Sequence, residues 1–61
     1  MRRNSQGNPE VAVLHLLDGR TLHAYAGEEF CYDAGAWSFT RGEDLYIVPK
    51  EAIAYVVERH G

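Results

Sequence analysis

The chain is 61 residues long, with 46 % hydrophobic, 11 % aromatic and 25 % charged residues. This composition fits one small globular domain and leaves no room for a second domain or a large buried active site. No apolar run approaches the roughly 18–20 residues of a bilayer-spanning helix.

The formal net charge of −3 is unevenly divided. Residues 1–9 hold Arg2 and Arg3 and no acid. From Glu10 onward, four basic residues stand against all nine acids, a formal −5. Such a body repels phosphate backbones and suits a partner with a basic surface. A solubilising surface is the plainer reading of the same charges. The leader has no apolar stretch and does not read as a signal peptide. Cys31 is the only cysteine, which excludes an internal disulfide and favours a reducing, cytoplasmic setting.

Residues 1–9 are polar, contain Gly7 and Pro9, and read as a flexible arm before a single domain over 10–61. From Val11 onward a period of two dominates. Residues 11–17 read as a strand. Asp18-Gly19 is a strong hairpin signal, and residues 20–26 form the return strand. With a loop of Asp18-Gly19-Arg20, Leu16 faces Leu22, Leu14 faces Ala24 and Ala12 faces Ala26, giving one wholly apolar face. The opposite face then pairs His15 with His23 and Val13 with Tyr25, and carries Val11 and Leu17. An apolar stripe on a second face calls for a covering helix or a second copy of the chain.

Further extended pieces are expected over 30–33, 37–40 and 45–48, separated by turns at Ala34-Gly35 and Gly42-Glu43-Asp44. The C-terminal segment reads two ways. As a helix over 49–60 it has Pro49 at the first position, Glu51 in the first turn, and Arg59 and His60 in the last. As a strand it places Ile53, Tyr55 and Val57 on one side, after a tight turn at Lys50–Ala52.

The run from Tyr46 to Val56, with Val48-Pro49 ahead of Ile53, resembles the closing segment of small bacterial Sm-like and SH3-like barrels. The upstream strand–Asp-Gly–strand hairpin suits that class too. The resemblance implies the strand reading and a barrel. Residues with which such families bind uridine-rich or adenine-rich RNA have no counterpart here, so it carries over no site.

Chemical constellations are sparse. His15 and His23 are the one pair of metal-ligand types placed side by side, and two ligands do not close a zinc site within one chain. Facing imidazoles would resist double protonation and so respond to pH. The turn acids, Glu28, Glu29, Asp33, Glu43 and Asp44, lack the cleft that acid–base catalysis requires. Cys31 has no basic neighbour in sequence and reads as a half-buried strand residue. Ser5 and Ser38 have no nucleophile context. Gly35 and Gly42 do not form a phosphate loop. Trp37 shares a strand face with Phe39 and reads either as the central core residue or as an interface anchor. Tyr25 is the better outward candidate.

The expected fold is therefore mainly β: a small, strongly curved antiparallel sheet or barrel of four or five strands, Sm-like or SH3-like. The alternative is an α+β meander with one C-terminal helix over 49–60. The expected function is a non-enzymatic protein-interaction module, an acidic regulator or inhibitor docking on a basic partner through Tyr25, Trp37, Glu28, Glu29, Glu43 and Asp44. No cofactor, metal or membrane is expected, and a homo-oligomer such as a homodimer is. The alternative is an Sm-like nucleic-acid-binding subunit using Arg2, Arg3 and Arg41.

Overall fold

The computed structural model describes residues 3–59. Six strands, β1 (Glu10–Leu16), β2 (Thr21–Tyr25), β3 (Cys31–Asp33), β4 (Ala36–Arg41), β5 (Asp44–Pro49) and β6 (Ile53–Glu58), follow one another, with one 3-10 turn at Lys50–Ala52. They form two antiparallel sheets of three strands each, ordered β2-β1-β6 and β3-β4-β5. The protein is thus mainly β, built as two small ladders rather than one closed barrel. No helix among the described residues is long and apolar enough to cross a membrane.

The first hairpin forms where Asp18-Gly19 predicts, but its loop begins one residue earlier. Leu16 and Arg20 close it, with the Leu16 N–H donating to the Arg20 carbonyl at 2.9 Å and the Gly19 N–H to the Leu16 carbonyl at 3.1 Å. Gly19 takes φ 92°, the left-handed residue that ends a three-residue loop. Leu14 therefore pairs with Leu22, Ala12 with Ala24, Val13 with His23 and His15 with Thr21. The slip from the expected register is an even number of residues, so from Ala12 to His15 each side chain keeps its expected face but meets a different partner. His15 and His23 share a face without standing opposite each other.

The apolar face of this hairpin becomes the core. Ala12, Leu14 and Ala24 are fully buried, and Phe39 of β4 is 1 % exposed. Phe39 clusters with the small Ala12 and Ala24, flanked by Val11, Phe30 and Val56. The register irregularity between Glu10 and Ala12 accompanies this inward packing of Val11, which was expected on the outer face. Trp37 is half-buried, so Phe39 takes the central position.

The C-terminal helix over 49–60 does not form. Pro49 is extended, at φ −66° and ψ 145°, and only Lys50–Ala52 turn. The chain then pairs with β1, setting Leu14 beside Val56 and Val13 beside Val57. Local signals for helix and strand are nearly level here. The open flank of β1 supplies a ladder and packing partners that an isolated helix lacks, and β-branched side chains suit it. His60, expected in the last turn of that helix, lies outside the described residues.

The outer face of β1 needs no covering helix. Val13 is only 6 % exposed between its neighbours on β2 and β6. His15 stacks on Tyr55, with ring centroids 4.2 Å apart. Leu17, in the loop, is exposed.

Candidate interaction surface

Three sets of ionic contacts, two of them around buried carboxylates, decide which charges remain available. The Glu10 side chain opens the first strand and is 4 % exposed. One carboxylate oxygen accepts from His23 Nδ1 at 2.5 Å, and the other from Arg59 Nη2 at 3.1 Å. Burial alone would push the Glu10 carboxyl up. The hydrogen bonds and charges of His23 and Arg59 outweigh burial and hold it below its ordinary 4.5. Thr21 Oγ1 lies 3.3 Å from the other nitrogen of His23.

Glu28 is also buried, contrary to its expected place among the surface acids. Its carboxylate accepts from Arg41 Nε at 2.7 Å and Nη2 at 3.0 Å, and from the Tyr25 N–H at 2.8 Å. The Arg41 hydrogen bond chiefly holds the Glu28 carboxyl low, and the same bond pushes Arg41 up. Arg41 Nη2 also donates to the His23 carbonyl at 2.7 Å. Its guanidinium lies 5.6 Å from the Tyr25 ring centroid, 5.3 Å from Phe39 and 5.9 Å from Tyr46. The pair thus bonds outward-facing backbone groups of β2 and ties the two sheets together. The Thr40 N–H adds a bond to the Glu28 carbonyl at 2.7 Å. The third contact, Arg20 with Asp18 at 2.6 Å, sits on the exposed first turn.

Every arginine of the body is therefore matched by an acid of the same chain. Glu29, Asp33, Glu43, Asp44, Glu51 and Glu58 are exposed. None of the six forms an ion pair among the described residues. Glu29 follows Glu28, and Glu43 and Asp44 follow Arg41, so the Glu28–Arg41 contact gathers these three acids and Tyr25 at one end. Trp37 lies away from them, stacked on Phe30 at 4.8 Å and against Tyr32 at 5.0 Å.

Residues 3–9 fold back on themselves. Asn4 Oδ1 accepts from the N–H groups of Gln6 and Asn8, and the Pro9 carbonyl accepts from Ala26. With Tyr25, Glu28, Thr40 and Arg41 this turn lines a polar cleft of about 410 Å3. The Arg3 guanidinium donates to the Gly7 carbonyl at 2.7 Å. Arg2 lies outside the described residues.

Sequence reasoning passed over one feature. Leu45 and Ile47 are 60 % and 62 % exposed on β5, an edge strand. With Asp33, Ala34, Ala36 and Ser38 they line a second, largely apolar groove. The unbroken apolar run over 45–48 was its signal, because a half-solvated strand normally alternates. Cys31 is exposed, not half-buried, with its sulfur 3.4 Å from Ser38 Oγ. Among the described residues no three His, Cys, Asp or Glu side chains gather as a metal would require.

Compared with known protein families, curated proteins and solved structures, the chain matches none.

Proposed function

We propose that this protein is a non-enzymatic interaction module whose acidic surface docks on a basic partner protein. One observation carries the reading: Arg20, Arg41 and Arg59 are each engaged by an acid of their own chain, while six exposed acids form no ion pair among the described residues. Lys50 is the only other cation of the body. Concentrated unmatched charge steers oppositely charged partners and sets specificity. A homo-oligomer and a cytoplasmic setting remain part of the reading. So does an SH3-like or Sm-like curvature of the two sheets, supported by the β5–turn–β6 order and the side-chain bridges at Glu28 and Arg41.

The test is binding to a basic probe protein at 50 mM and 300 mM salt, with native chain and with Glu29, Glu43 and Asp44 reversed to lysine. Affinity is expected to fall with salt and with charge reversal. Glu28 is left in place because its carboxylate holds the fold. Unchanged binding in the reversed variant defeats the reading. A gel shift of RNA by the native chain at low salt would favour the nucleic-acid alternative, against which the prior engagement of Arg41 weighs.

A further inference from the structure

The outer edge of β5 has the features of a docking strand. Arg41 and Asp44 flank the two-residue turn Gly42-Glu43 and so form a hydrogen-bonded pair. Antiparallel alternation then makes Phe39–Tyr46 and Trp37–Val48 the next bonded pairs, and turns the N–H and C=O groups of Leu45 and Ile47 outward. The bond from the Thr40 N–H to Glu28, on the side of β4 away from β5, has the same phase. No other described strand pairs with this edge, and Pro49, without an N–H, ends it. Leu45 and Ile47 also present their side chains to the groove of about 350 Å3. Main-chain groups and apolar side chains thus lie open along the same short segment, a combination that protein edges ordinarily avoid.

We infer that this edge accepts an extended basic segment of another protein as an added antiparallel strand. The inference rests on the acidic-docking reading above and names the form of the partner. Alternate residues of such a segment would stand over the groove beside Leu45 and Ile47, where apolar side chains fit. The intervening residues would point to the face of Asp44 and Tyr46, where the exposed Asp44 carboxylate suits Lys or Arg. Glu43 lies at the head of the strand and Asp33 lines the groove. A second copy fits this edge less well, because it would bring two like-charged surfaces together.

The probe is a capped ten-residue peptide alternating lysine and valine. Its control has the same composition with the lysines and valines in two blocks. Both are titrated by fluorescence anisotropy against the native chain, Ile47→Glu, and the triple charge reversal at Glu29, Glu43 and Asp44. Backbone amide exchange is followed by NMR. The alternating peptide is expected to bind more tightly than the blocked one and to slow exchange of the Leu45 and Ile47 amides. Ile47→Glu adds an acid, so pure charge attraction would strengthen binding. Strand addition instead predicts a loss of roughly tenfold.

Equal or tighter binding by Ile47→Glu overturns the inference, as does slowed exchange on another edge instead. If charge reversal still weakens binding in that case, the acidic-docking reading stands and only the edge falls. If neither peptide binds at low salt, both fall. Sedimentation of the peptide-free chain at pH 8, well above its isoelectric point of about 5.4, supplies the last arm. A dimer that Ile47→Glu dissociates would assign the edge to a second copy and overturn the inference. A mass that Ile47→Glu leaves unchanged is the expected result.

Discussion

The guanidinium of Arg41 reaches both sheets at once, so its loss should exceed that of an ordinary surface charge. Arg41→Met keeps much of the volume but leaves the buried Glu28 carboxylate without its cation. The expected cost is about 2 kcal/mol, below that for a fully buried pair because Arg41 is partly exposed. The double variant Glu28→Gln/Arg41→Met should cost less than Arg41→Met alone, which urea midpoints can check. Glu10 gives a pH signature. Its carboxyl is held below 4.5 in the fold, so its contribution is present above the unfolded value and disappears as pH falls through the folded one. Glu10→Gln should therefore cost about 1–3 kcal/mol at pH 7. The gap between the two chains should narrow by pH 3. A constant gap across that range would show that the carboxylate charge is not what matters. Neither pair was legible in the sequence. Glu28 is 13 residues from Arg41 and Glu10 is 49 from Arg59, distances that only the folded sheets close.

At the scale of elements, the period of two and the turn residues located the first five strands to within about two residues. What they could not set was the start of the first loop. Leu17 continues the apolar run and reads as strand, yet it is exposed in the turn. The sixth strand depended on pairing with β1, a non-local choice toward which Ile53, Tyr55 and Val57 leaned while Pro49, suited to the first position of a helix, leaned away. The turn between β3 and β4 carries a mismatch. Ala34 and Gly35 take φ 53° and 78°, the left-handed pair of a tight hairpin, and alanine tolerates that region poorly. Ala34→Asn is expected to stabilise the chain by about 0.5–1 kcal/mol, seen as a higher melting temperature. In the core, Phe39→Ala should cost about 3–5 kcal/mol, because Phe39 is the one large side chain among the cluster's buried residues and Ala12 and Ala24 are too small to fill the gap. In a domain of this size that is most of the expected stability, and near-complete loss of the cooperative melt should follow.

For the whole molecule, acid-rich composition was readable at once, but the availability of those acids was not. Six exposed acids and one lysine dominate the body's surface because its arginines turn to neighbours of their own chain. As pH approaches the isoelectric point of about 5.4, that repulsion fades while Leu45 and Ile47 stay exposed. Light scattering should then show association at pH 5.4 that recedes at pH 8, and Ile47→Glu should reduce it.

The row Cys31–Ser38–Ile47 crosses three adjacent strands on the outer face of the second sheet. It places the chain's one thiol on the same face as the groove, two strand spacings, or about 10 Å, from Ile47. The protein thus carries a native attachment point on the same sheet face as the side chains of the proposed docking edge. An environment-sensitive dye on Cys31 would report occupancy there without any engineered residue. A short thiol-reactive crosslinker at the same sulfur would turn a fleeting contact into a covalent record of which residues had lain against the edge.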